Sequence, residues 1–346
     1  MWPYWLMFLI PTWAVLMPGR LKPNQAWVPW AFVFLLFALM MGLRHEVGGD
    51  WGNYLPHFRE TASRSFVEVM ERGDPGYYGL NWLIAQLGGS IYHVNLVCAF
   101  IMMWGTVVFC RDQPNPWLAL VAAVPYMLVV VGMGYTRQAV ALGFALLGLA
   151  ALGHKRMRPF VIWIAIGATF HKSAVLLLPI AALAASRNRL LNVAIVGTTT
   201  LLLYYLLLAD ASEALWQNYV QAEYQSQGGM IRVLMNVIPA ALLVLFRKRL
   251  VPDLAERKLW LWMAVFAFGC LPLVSFASTA VDRVALYLIP IQLFVFARIP
   301  RLANSVQTRT PLVLGVIGYY TAVLFVWLNF ATHAFRWLPY QFMPLR

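Results

Sequence analysis

Residues 117–158 read WLALVAAVPYMLVVVGMGYTRQAVALGFALLGLAALGHKRMR. From Trp117 to Gly153 the one charged side chain is Arg137. A helix needs about 20 apolar residues to cross the hydrocarbon of a bilayer. This stretch holds two such runs, 117–133 and 134–152, which meet at GYTRQ (134–138) and end in the basic cluster HKRMR (154–158). Lipid is the solvent that such a pattern requires. The whole chain agrees: of 346 residues, 62% are hydrophobic and 11% charged, where soluble domains are about a quarter charged. Trp and Tyr gather at the ends of apolar runs, as in an interfacial belt.

Working outward, the hydropathy pattern predicts an all-α, polytopic integral membrane protein with about ten transmembrane helices in a single domain (1–346). The spans are expected near 2–17, 26–43, 91–110, 117–133, 134–152, 191–208, 233–246, 259–279, 284–297 and 312–332. The apolar stretch at 1–17 lacks a basic start and a small-residue cleavage site, so it reads as a first span. Residues 76–89 are too short to cross and read as an interfacial helix. Residues 160–185 are long and carry HKS at their middle.

The net charge of +13 suits membrane topology better than nucleic acid. Sixteen Lys and Arg, from Arg20 to Arg309, share their loops with three acids, Asp112, Asp253 and Glu256. Such loops face the cytoplasm. HKRMR and SRNR (186–189) then lie on one side, so 160–185 must enter and return, a re-entrant helical hairpin with His171, Lys172 and Ser173 at its tip. Cys98, Cys110 and Cys270 lie inside apolar runs and read as buried free thiols. No His or carboxylate cluster has metal-ligand spacing, and neither a metal nor another cofactor is expected.

With that topology the remaining charge gathers on the other face. The larger loops 44–75 and 209–232 contribute RHEVGGDWGNY, with Arg44, Asp50 and Tyr54, and QGGMIR, ending in Arg232. GYTRQ adds Arg137 and Gln138, the hairpin tip His171 and Lys172, and a short loop Asp282 and Arg283. Each taken singly is explained by an ion pair or a snorkelling anchor, and Asp282 with Arg283 by nothing more than their own pairing. Together, Arg44, Arg137, Lys172, Arg232 and Arg283 are more cations than pairing needs, and Arg matches phosphate oxygens bidentately. The expectation is an open cavity lined by Arg44, Asp50, Arg137, His171, Arg232 and Arg283. Asp50 and His171 are the groups suited to take a proton from a hydroxyl. Nearby arginines are expected to keep Asp50 ionised and His171 neutral; on these grounds His171 is preferred as base, with Asp50 orienting the acceptor or an arginine. Trp51, Tyr54, Tyr77, Trp82 and Tyr224 offer faces for sugars.

In order along the chain, R-x5-D-x3-Y (Arg44, Asp50, Tyr54), DPGY (74–77), TRQ (136–138), FHKSA (170–174), a Gly-rich stretch ending in Arg232, DR (282–283) and PY (339–340) resemble the EpsG family of Wzy-type polysaccharide polymerases. Asp74 stands where Glu is frequent in that pattern. The resemblance implies a glycosyltransferase of the bacterial inner membrane with its active site facing the periplasm. It would polymerise undecaprenyl-diphosphate-linked oligosaccharide repeats into exopolysaccharide or O-antigen, in the bilayer beside a flippase and a chain-length regulator. Another lipid-linked-sugar glycosyltransferase or an O-antigen ligase, with Asp50 as base or metal ligand, is the alternative. A flippase or transporter fits less well, because no inverted repeat is visible.

Overall fold

The computed structural model describes residues 1–17, 26–71, 73–184, 189–203 and 228–345. Most of 209–232, including Glu223 and Tyr224, lies outside them, as do Arg20 and Lys22. The described residues are helical with no strand, and one isolated bridge pairs Arg44 with Phe342. The helices are α1 (Trp2–Leu16), α2 (Trp27–Gly42), α3 (Trp51–Ala62), α4 (Phe66–Met70), α5 (Pro75–Gln86), α6 (Ile91–Arg111), α7 (Pro116–Ala123), α8 (Thr136–Gly153), α9 (Met157–Phe170), α10 (Leu178–Ala184), α11 (Arg189–Leu203), α12 (Gly229–Leu250), α13 (Leu254–Leu273), α14 (Ser278–Leu288), α15 (Pro290–Phe296) and α16 (Val306–Phe330). Beyond α7 the chain continues as a π-helix, Val124–Gly132.

Four of these, α6, α8, α12 and α16, are long and apolar enough to cross a membrane. The segment expected as one span at 284–297 belongs to a broken helix: α14 and the stretch from Pro290 bend by 42° at the break. Pro290 has no N–H and its ring crowds the preceding turn, which is why the helix does not run straight through. Likewise 160–185 is not one long helix. It is α9, a break at extended His171, a 3-10 turn (Lys172–Leu177) and α10.

Helix α8 is the centre, buried along nearly its whole length. It meets α6 at a pair of glycines: a Cβ on Gly105 would stand 2.0 Å from the Gly143 carbonyl oxygen, and one on Gly143 2.8 Å from Met102 Cα. Helix α9 comes nearly as close, since a Cβ on Gly167 would lie 3.2 Å from the Ala141 oxygen. Between lipid-facing helices there is little hydrophobic gain on association, so close packing of small residues carries it. The outer surface is correspondingly apolar, with Trp13, Phe32, Leu245 and Phe330 exposed. Gly105→Val is therefore expected to remove most folded protein from the membrane fraction, read as loss of the monodisperse peak after detergent extraction. Retention of that peak would show that the α6–α8 contact does not hold the bundle.

Polar bonds sort the helix ends. At one end Asp112 meets His154 (2.9 Å), Lys155 meets Asp253 (3.4 Å), Arg298 meets Glu256 (2.8 Å) and Arg249 donates to Asn304 (3.1 Å). These join the ends of α6, α8 and α12 to the starts of α13 and α16, and they belong to the basic loops. At the other end the starts of α6, α8, α12 and α14 meet the hairpin tip, the segment 43–50 and the residues after α16.

Candidate functional site

The segment between α2 and α3 is held from three sides. Arg44, 1% exposed, donates from Nε to the Val47 carbonyl (3.1 Å), from Nη2 to Thr136 Oγ1 (2.7 Å), and from Nη1 to the Met41 carbonyl. Gly48 has φ +112°, and a Cβ there would lie 2.1 Å from the Met133 oxygen, so only glycine fits. The residues after α16 fold back along this segment: Gly48 N–H donates to the Arg336 carbonyl (2.9 Å), His45 N–H to Gln341 (2.9 Å), and the Arg336 guanidinium to the Gly49 carbonyl (2.8 Å). Trp337 is buried beneath, its indole N–H donating to the Val129 carbonyl of the π-helix (2.9 Å). Asp50 is thus fixed through its backbone, whose N–H donates to the Gly134 carbonyl (3.2 Å).

Asp50 is the N-cap of α3, yet its carboxylate does not cap. It accepts from the Tyr54 hydroxyl (3.3 Å) and faces a cavity of about 240 Å³. That cavity is lined by Asp50, Asn53, Tyr54 and His57 of the α3 region, Tyr135, Arg137 and Gln138 around the start of α8, His171 of the hairpin tip, and Arg283 of α14. Burial raises the Asp50 carboxyl above its ordinary range, and Arg283, Arg137 and the Tyr54 hydrogen bond offset only part of this. The sequence-based expectation weighted the arginines and missed the burial. Burial also pushes the Tyr54 phenol up, so it stays a donor.

Arg137, in the first turn of α8, donates to Asp74 (2.8 Å) and stands 5.9 Å over the Tyr77 ring. Asp74, buried at the start of α5, also accepts from the Lys172 backbone N–H, and burial raises its carboxyl against the pull of Arg137 and Lys172. It ties α5, α8 and the hairpin tip together. Gly76 makes the approach possible, since a Cβ there would stand 2.3 Å from Thr169 Oγ1.

His171 stands at that tip, beyond the end of α9. Its Nε2 lies 3.2 Å from Gln138 Nε2 and its Nδ1 3.3 Å from the Tyr287 hydroxyl. With the amide N–H donating to Nε2, the ring proton sits on Nδ1 and donates to Tyr287. Burial, then Arg283 and Arg137, push the imidazole down to about 3. It is neutral, as expected, and a weak base. Gln138 Oε1 is buried without a hydrogen-bond partner among the described residues.

Six residues expected at one site do share this cavity: Asp50, Tyr54, Arg137, Gln138, His171 and Arg283. Four others do not line it. Arg44 braces the segment behind Asp50. Lys172 sits behind the wall, against Asp74. Arg232 and Asp282 pair with each other through two hydrogen bonds (2.5 and 2.8 Å), both largely buried, so Asp282 is not the partner of its neighbour Arg283. Arg283 instead stands 5.9 Å over the Tyr135 ring, with no carboxylate at ion-pair distance among the described residues. Among the expected sugar-facing aromatics, Trp82 donates to the Arg64 carbonyl (3.2 Å) and Tyr77 is buried behind the cavity. Asn53, His57 and Tyr135 were missed from the sequence. The first two share the helical spacing 50, 53, 54, 57, legible only once 51–62 is read as a helix.

No curated protein matches the chain. A family model, that of the EpsG family, matches residues 27–342, which holds every residue of the cavity. The chain is a membrane-embedded polysaccharide-biosynthesis protein and belongs to the EpsG family, which is Wzy-type polymerase-like.

Proposed function

We propose that this protein is a glycosyltransferase that polymerises undecaprenyl-diphosphate-linked oligosaccharide repeats on the periplasmic face of the inner membrane. The observation that carries the reading is one cavity in which a half-buried carboxylate, Asp50, faces two guanidiniums, Arg137 and Arg283. The opposite end of the bundle bears the basic loops, and positive charge marks the cytoplasmic side. The shorter apolar helices α1 and α2 are read as further crossings, to a total of about ten, with α9–α10 as the re-entrant hairpin and α5 at the interface.

The chemistry follows from the charges. A hydroxyl of the incoming repeat attacks the anomeric carbon of the sugar joined to the lipid diphosphate. The new C–O bond forms as the anomeric C–O bond to phosphate breaks, and the diphosphate leaves with the electron pair. Guanidinium donors stabilise the charge that develops on it. Asp50 takes the hydroxyl proton. A carboxylate lifted by burial is a stronger base than a free one, and among the described residues its side-chain donor is Tyr54. Both nitrogens of His171 are engaged, which suits a ring that positions Gln138 and the α8 start better than one that accepts a proton.

The test is reconstitution of the purified protein in bilayer nanodiscs with lipid-linked repeat extracted from cells lacking their polymerase. A ladder of lengthening glycans with release of lipid diphosphate is expected. Transbilayer movement of the unchanged lipid without a ladder would make the protein a transporter.

A further inference from the structure

The cavity's polar groups divide by element. Its guanidiniums come from α8 and α14, whereas Asn53, Tyr54 and His57, all from α3, bring amide, phenol and imidazole groups that both donate and accept. Asp50 stands where the two meet: it occupies the N-cap position of α3, and its carboxylate is electrostatically coupled to Arg283 and Arg137. Asn53 and His57 have no side-chain hydrogen bond among the described residues; His57 packs edge-on against Tyr78 at 6.1 Å. They follow Asp50 along one face of the helix, and at a rise of ~1.5 Å per residue the row extends about 10 Å from the carboxylate.

We propose that this face of α3 is the acceptor subsite, and that Asn53 and His57 bind hydroxyls of the incoming repeat and set which sugar is presented to Asp50. The assignment rests on the polymerase reading above. A diphosphate would be drawn to the arginines, which carry fixed charge and bidentate donors. A neutral sugar has the opposite preference: its hydroxyls donate and accept, and each is satisfied by groups of the kind α3 offers. The attacking hydroxyl must reach Asp50. If the donor's anomeric carbon lies by the guanidiniums, the remainder of the acceptor extends away from them, along α3. Gln138 lines the same cavity, and its Oε1 has no hydrogen-bond partner among the described residues.

The two subsites separate with two probes. Inorganic pyrophosphate carries the leaving group's charge and no sugar. The free repeat oligosaccharide, cleaved from its lipid, carries the sugars and no diphosphate. In nanodiscs, with a labelled lipid-linked tetramer of the repeat as donor, Asn53→Ala and His57→Ala are each expected to raise the half-saturating concentration of free oligosaccharide about tenfold, the loss of one hydrogen bond. The inhibition constant of pyrophosphate should stay within about twofold in both. His57→Gln, which keeps a polar group at similar reach, should recover most of the loss. Equal weakening of pyrophosphate, or an unchanged half-saturation for the oligosaccharide, would overturn the assignment while leaving the polymerase reading in place. A wild-type protein that transfers nothing to the free oligosaccharide or to the lipid-linked repeat would overturn the reading and the assignment with it.

Discussion

Asp50→Asn should lower polymer formation about 10²–10⁴-fold, the usual worth of general-base help, while protein level and pyrophosphate inhibition hold. Asn keeps the shape and the contact with Tyr54 but cannot take a proton. The wild-type rate should also fall as pH falls through the Asp50 titration, because the ionised form is the active one. Burial places that acid limb above the ordinary carboxylate range, and the limb should be missing from the residual activity of the Asn variant. The stability sign runs the other way. A carboxyl whose folded pKa is raised favours the native state at low pH, and that advantage is lost as pH rises past its unfolded value. At neutral pH the ionised group therefore costs stability, and Asp50→Asn should melt no lower than wild type. A variant equally dead but poorly folded would instead mark Asp50 as a bracing residue. His171→Ala, made alongside, should lose less turnover, since Gln138 and Tyr287 already occupy its ring nitrogens. Should His171→Ala be the dead variant and Asp50→Asn the active one, the base is the imidazole.

The membrane character of the chain and the meeting of Asp50, Arg137, His171 and Arg283 were legible because topology in lipid follows from two simple quantities, apolar length and loop charge. Once the basic loops are assigned to one side, residues from α3, α8, α14 and the hairpin must share the other. What charge counting does not reveal is which cations are already spent. Arg44 and Arg232 look like Arg283 in sequence, yet Arg44 serves two carbonyls and a threonine, and Arg232 serves Asp282. Those pairings depend on distances between elements far apart along the chain. Hydropathy also hid α3: a helix over a cavity at the bundle's end alternates polar and apolar sides and leaves no long apolar run. Its neighbour α4 did carry a local signal, the Ser65–Glu68 capping box, inside the stretch expected as loop. The bend before Pro290 follows from proline geometry, and the π-helix accepts from Trp337 at its Val129 carbonyl; periodicity reports neither.

Arg283→Lys is the substitution that tests the cation best placed for a diphosphate. Arg137 is shared with Asp74, and Arg232 is neutralised by Asp282. Arg283 lines the cavity above Tyr135 with no ion-pair carboxylate among the described residues. Charge of this kind inside a membrane protein is costly and is kept where it binds something. Lysine preserves the charge but gives up the planar fork that grips two phosphate oxygens. One lost charge-assisted hydrogen bond corresponds to about a 10- to 100-fold fall in kcat/KM. The inhibition constant of pyrophosphate should rise in parallel, and the half-saturation for free oligosaccharide should not move. Because no ion pair among the described residues is broken, melting temperature should be nearly unchanged. The same exchange at Arg232 should behave oppositely, lowering stability through a disturbed, mostly buried pair. An Arg283→Lys protein that polymerises at the wild-type rate and binds pyrophosphate as well as wild type would remove this residue from the leaving-group site and leave Arg137, released from Asp74 on substrate binding, as the cation to test.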